Sequence, residues 1–153
     1  MTEPAGRDEA FQRDREIVTT QIFDAPRERV FAAWTDPDQV AQWWGPQGFR
    51  NTIQTFEPWP GGQWNFIMEG PDGTHFRNES VFVAVSAPDK IVFDHTSTPH
   101  FRVIVTFEEE GSRTRLSFCM RFGTVAECEV VKRFAQEGNE QTFLRLAALL
   151  AEG

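Results

Sequence analysis

Between residues 51 and 122 the chain repeats one pattern: short runs in which apolar and polar side chains alternate, each closed by turn formers. In Gln63–Glu69, Trp64, Phe66 and Met68 fall on one face, with Gln63, Asn65 and Glu69 on the other. Phe101, Val103, Val105 and Phe107 oppose Arg102 and Thr106, with Ile104 breaking the pattern. Leu116, Phe118, Met120 and Phe122 oppose Arg113, Arg115, Ser117, Cys119 and Arg121. A period of two marks strands with one buried face. It predicts strands over 51–57, 63–69, 75–85, 90–96, 101–109 and 113–122. In 75–85 the inner face is ambiguous, because Val81, Val83 and Val85 compete with Phe82. The connectors, such as Pro58-Trp59-Pro60-Gly61-Gly62 and Gly70-Pro71-Asp72-Gly73, are short, so successive strands should be antiparallel neighbours.

Before this meander, Ile17 to Phe23 reads as a strand and Asp24-Ala25-Pro26 as a helix start, with Val30, Phe31 and Trp34 on one side. Asp36 and Gln39 suggest a capping box for a second short helix, which Trp43-Trp44 and then Gly45-Pro46 bring to an end. Thr124 and Glu127 open a final helix running toward Ala151, about 28 residues or roughly 40 Å long. Ala135, Asn139, Phe143, Leu146 and Leu150 form one stripe along it. Half-amphipathic strands need a cover, and only this helix is long enough to supply one. The expected architecture is α+β: a curved antiparallel sheet of about seven strands around a long C-terminal helix, with two short helices after the first strand. Residues 1–15 read as a flexible charged tail, and 16–153 as a single domain.

Composition sharpens this outline. The 153 residues include 15 Phe and 5 Trp but no Tyr, so nearly every aromatic lacks a polar tip. That favours a deep apolar interior. With 23 acidic against 15 basic residues the net charge is -8, which opposes nucleic acid and anionic membranes. The absence of a long apolar run excludes a membrane-spanning helix. Two cysteines, Cys119 and Cys128, suit a reducing, cytoplasmic setting. The Asn78-Glu79-Ser80 sequon is read as chance.

Several ordered segments carry a resemblance. They are Ala25-Pro26-Arg27-Glu28-Arg29-Val30-Phe31-Ala32-Ala33-Trp34, Trp43-Trp44-Gly45-Pro46, Pro60-Gly61-Gly62-Gln63-Trp64 and Gly70-Pro71-Asp72-Gly73-Thr74. Ala87-Pro88-Asp89-Lys90-Ile91-Val92-Phe93 and Gln136-Glu137-Gly138, with Leu144, Leu146 and Leu150, complete the set. Over about residues 17–151 the chain resembles the helix-grip proteins of the SRPBCC, START-like or Bet v 1-like superfamily. More narrowly, it resembles bacterial proteins related to the C-terminal domain of the activator of Hsp90 ATPase. The resemblance implies an interior cavity between sheet and helix, often able to hold an apolar molecule, and no particular reaction. Such relatives commonly carry Trp where this chain has Asn139. An amide there would free volume and add polar groups to the cavity wall; alternatively it reaches backbone or water.

Candidate chemistry is sparse. His95 follows Ile91 and Phe93 in alternation and reads two ways: a ligand-orienting or acid–base group, or a satisfied core histidine. His75 and His100 lie near turns, and no His, Cys or carboxylate spacing suggests a metal. Neither cysteine sits in a nucleophile motif. The Gly61-Gly62 pair reads as turn geometry. Arg77, Asn78, Glu79 and Arg102 lie on neighbouring strands, as a solvated outer face or, if turned inward, a polar anchor. Trp34, Trp44 and Trp64 are assigned to packing, while Trp43 and Trp59 are the candidates for the rim of an opening.

The expectation is non-enzymatic binding of a small apolar or amphipathic molecule, without a cofactor, by a monomer or homodimer. Trp64, Phe66, Met68, Phe93, His95, Val103, Val105, Phe118, Met120, Asn139 and Phe143 should line the site. A protein-interaction module, similar to the Hsp90-activating domain and needing a protein partner, is the first rival. A cyclase- or aromatase-like enzyme is the second.

Overall fold

The computed structural model describes residues 14–152, so of the charged segment 1–15 only Asp14 and Arg15 are within view. The elements run β1 (Glu16–Phe23), α1 (Arg27–Thr35), α2 (Pro37–Trp43), β2 (Arg50–Phe56) and β3 (Gln63–Glu69). They continue with β4 (His75–Ser86), β5 (Lys90–His95), β6 (Phe101–Glu110), β7 (Arg113–Phe122) and α3 (Val125–Glu152). The seven strands form one antiparallel sheet in the order β1-β7-β6-β5-β4-β3-β2, so β1 closes the meander by pairing with its last strand. This is the α+β helix-grip architecture, with the long helix α3 against the sheet.

Local chemistry sets the boundaries. Asp36 accepts from the Asp38 amide at 3.0 Å, while Gln39 reaches the Asp36 carboxylate instead of its backbone N–H. Thr124 and Glu127 cap α3: the Glu127 amide donates to Thr124 Oγ1 at 3.1 Å, and the Thr124 hydroxyl donates to Glu127 Oε1 at 2.9 Å. The Gly61-Gly62 turn extends the ladder beside β4, with Gly61 N and Phe82 O 2.8 Å apart and Phe82 N and Gly62 O at the same distance. Any Cβ on Gly62 would stand 2.0 Å from the Glu57 carbonyl oxygen, so only glycine fits there.

A bulge settles the ambiguous strand. The β4–β5 register shifts between Phe82 and Ala84. Before the shift Asn78, Ser80 and Phe82 face inward; after it the parity changes and Val85 packs on the core while Val83 is exposed. One run therefore serves two phases of the same alternation, which is why Phe82 and the valines had competed. On β1 the inner positions are Ile17, Thr19 and Phe23, whereas Val18 and Ile22 face outward and are exposed.

Candidate functional site

The inner face of the sheet is a set of cross-strand rows. One runs Trp64–Ser80–His95–Phe101–Phe122; the next runs Phe82–Phe93–Val103–Met120–Ile17; a third runs Ile91–Val105–Phe118–Thr19. Over the third row and beyond it the short helices fill the space. Trp34 of α1 packs on Phe107 and Phe118 and against Trp43 and Trp44. Over the first two rows α3 stands away from the sheet and leaves a pocket of about 440 Å³.

Every residue expected to line a site borders this pocket except Val105, which is fully buried. Val105 lies one row deeper than Val103, and both Phe118 opposite it and Phe107 beside it touch Trp34, so the short helix closes over that position. The rim assignment of the tryptophans is corrected. Trp43 has 0% of its surface exposed and donates its indole N–H to the Ala33 carbonyl at 3.0 Å, and Trp59 does not border the pocket. Trp44, which had been assigned to packing, lines the pocket together with Gly45 and Pro46. Tryptophan spacing near a turn carries no information on which indole swings inward, and that choice is made by the helix ends.

The segment carrying Trp44 is tied to α3 by Arg145, which the sequence reading did not single out. Its guanidinium donates to the carbonyls of Gln42 at 2.9 Å, Gly45 at 2.8 Å, Pro46 at 3.0 Å and Trp44 at 3.3 Å. They lie at the end of α2 and in the turn that follows it, so a cation with a forked donor set is well matched to the cluster. Burial lowers the Arg145 pKa from its ordinary value. Gln141 adds a link by accepting the Gln47 amide at 3.1 Å.

The polar side of the pocket centres on His95, half-buried and stacked on Phe101 with ring centroids 4.6 Å apart. Nδ1 lies 2.7 Å from the Pro99 carbonyl, which can only accept, so Nδ1 carries a proton. Nε2, unprotonated in that tautomer, lies 3.4 Å from Ser97 Oγ, whose hydroxyl can donate to it, and 2.9 Å from Asn78 Oδ1, which only accepts. Burial is the dominant influence and pushes the His95 pKa below its ordinary value; the Pro99 carbonyl opposes the shift. With Nδ1 held by the Pro99 carbonyl, the ring is fixed in place beside the pocket. Asn78 is the one member of the Arg77, Asn78, Glu79 and Arg102 group that turns inward, while the other three are exposed. Arg102 instead pairs with Asp94 on the outer face at 2.7 Å.

Asn139 points toward the sheet: its amide donates to Thr19 Oγ1 at 3.2 Å and lies 3.6 Å from Met120 Sδ. It both borders the pocket and finds a structural partner. Ser80 and Thr142 also border the pocket and were not foreseen. Ser80 was legible only through register, because it pairs with Trp64 on one side and His95 on the other. Cys119 is on the outer face, and burial pushes its thiol up to about 11, which keeps it protonated.

Comparison with known proteins bears on the family and the fold. The family model described as Activator of Hsp90 ATPase homolog 1-like protein matches residues 24–151. No curated protein matches the chain. A solved structure from Arthrobacter aurescens is 28% identical with a TM-score of 0.85, covering 92% of this chain and 88% of its own. One from Nitrosomonas europaea shares 17% identity with a TM-score of 0.84, covering 92% and 96%. The AHSA1 protein from Silicibacter pomeroyi shares 22% identity with a TM-score of 0.75, covering 89% and 97%. The last two are similar in fold.

Proposed function

The chain belongs to the Activator of Hsp90 ATPase homolog 1-like family, and from that premise we propose that it binds a small apolar or amphipathic molecule between the sheet and α3. The observation that carries this reading is the pocket of about 440 Å³, bordered by Trp44, Trp64, Phe66, Phe93, Phe101 and Phe118 with a few polar groups at one side. Small-molecule sites typically have volumes of about 300–1,000 Å³ and this kind of lining. Burial of apolar ligand surface drives association, at about 25 cal/mol per Å², and His95 and Asn139 set orientation.

Thermal shifts across a panel of lipids and polycyclic aromatics test the reading, with concentration-dependent stabilisation as the expected result. Asn139→Trp should fill the pocket and weaken any binding found by about tenfold, or about 1.4 kcal/mol, while the fold persists. A panel with no stabilising member counts against the reading, and unchanged binding in Asn139→Trp removes Asn139 from the site.

A second reading has its own observation. Val130, Phe134 and Leu144 are exposed at helical spacing along one face of α3, Phe134 at 65%. A protein partner, as the family description suggests, would cover this stripe. Binding to a purified Hsp90-type ATPase under reducing conditions, abolished by Phe134→Glu, would favour it over the pocket.

A further inference from the structure

Two buried polar atoms at the pocket have nothing to bond to. Trp64 is 2% exposed and Ser80 is 1% exposed, and among the described residues neither Trp64 Nε1 nor Ser80 Oγ has a hydrogen-bond partner. Buried polar groups are nearly always paired, so orphans at a pocket point to a missing partner. These two are not scattered. Trp64 and Ser80 are directly opposite on β3 and β4, both on the inner face, and such pairs hold their Cβ atoms about 4.5–5.5 Å apart. Both residues border the pocket. Trp34 Nε1 is also unpartnered, but Trp34 projects from α1 and does not border the pocket.

We propose that the molecule bound here carries a neutral carbonyl oxygen, received together by Trp64 Nε1 and Ser80 Oγ as donors, on an otherwise apolar aromatic or alicyclic body. This rests on the binding reading above and adds the chemical class of the ligand. The donor set selects an acceptor: an indole N–H only donates, and the serine hydroxyl turns to donate beside it. A carbonyl oxygen has two lone pairs for two donors and brings no proton that needs a further acceptor. A carboxylate is disfavoured, because the described lining holds Glu137 and no Lys or Arg, and an unpaired buried charge is costly. His95, opposite Ser80 on β5, gives its Nδ1 proton to the Pro99 carbonyl and keeps Nε2 as an acceptor, which leaves the donors of Trp64 and Ser80 to the ligand.

The experiment compares two probes of one shape on the full chain: 2-acetylnaphthalene and 2-isopropenylnaphthalene, which differ by C=O against C=CH₂. Titration calorimetry should give the ketone about three- to tenfold tighter binding than the alkene. The carbonyl stretch of the ¹³C-labelled ketone should move to lower frequency on binding. Ser80→Ala should cancel much of the ketone preference over the alkene and part of the band shift, and raise the melting temperature of the free protein by removing an orphan hydroxyl. Trp64→Phe supplies the second arm, keeping the ring and deleting the N–H. Equal affinity for both probes with an unshifted band overturns the carbonyl assignment and leaves the binding reading standing. A ketone preference unchanged in both variants overturns it as well. Failure of both probes to bind, alongside a silent ligand panel, brings down the binding reading and this inference with it.

Discussion

At one end of the sheet's inner face, Trp34 sits among Trp43, Trp44, Phe107 and Phe118, while Phe31 packs edge-on against Phe107 at 5.2 Å. At the other end the strands offer Asn78, Ser80 and His95 beneath α3, and a pocket remains. The same strands build both ends. The difference lies in what stands above them and in side-chain size. At the first end two short helices deliver indoles into the space. At the second a single helix presents Ala135, Gly138 and Asn139 to it. Close-packed interiors are filled by matching large side chains to open space, and the pocket persists where α3 sets small residues opposite the aromatic face of the strands.

The sharpest way to break this contrast is to empty the filled end. Trp43→Ala removes a fully buried indole and its hydrogen bond to Ala33, with an expected loss of about 3–5 kcal/mol in urea unfolding. Phe134→Ala, at the exposed edge of the pocket, should stay within about 0.5 kcal/mol of the parent. Equal losses at both sites would erase the distinction between a load of packed rings and an open wall.

A smaller effect is expected at the brace between the two ends. Arg145→Ala leaves the carbonyls of residues 42 and 44–46 without their shared donor and should cost about 2 kcal/mol. Arg145→Lys should recover less than half of that, because an ammonium cannot span the same set of acceptors. Full recovery by lysine would show that charge near the end of α2 matters and the fork does not.

The smallest effect concerns pH. The His95 pKa is lower in the folded chain than its ordinary 6.5, so the unfolded chain binds the extra proton first. The stability contributed by neutral His95 is present above pH 6.5 and is lost as pH falls from there through the folded-state value. Unfolding midpoints between pH 8 and pH 5 should therefore decline more steeply for the parent than for His95→Asn. Parallel profiles would place the acid sensitivity elsewhere.

Much of the fold was legible because periodicity and turn chemistry are local. The limits of β3 and β7 follow from alternation and flanking Gly, Pro and Glu-Gly-Ser turns, and Thr124 marks the start of α3 through its own hydroxyl. The inward stripe of α3, from Ala135 to Leu150, follows from helical spacing. The candidate site was legible in its apolar part for the same reason. It was not legible at Ser80 and Asn78, since a serine and an asparagine in a strand carry no mark of facing inward. Nor was it legible at Arg145, whose partners lie a hundred residues away in the chain.

The sequence by itself therefore determined the order of elements, the strand faces with clean alternation and the helix that must cover them. The tertiary structure decided what depends on distant pairing. The bulge after Phe82 set which side of β4 turns inward. The end of α2 buried Trp43 and turned Trp44 to the pocket. The register of β3, β4 and β5 aligned Trp64, Ser80 and His95 in one row. Periodicity fixes a residue's face on its own element, but a site needs faces from several elements to converge, and that convergence is a property of packing.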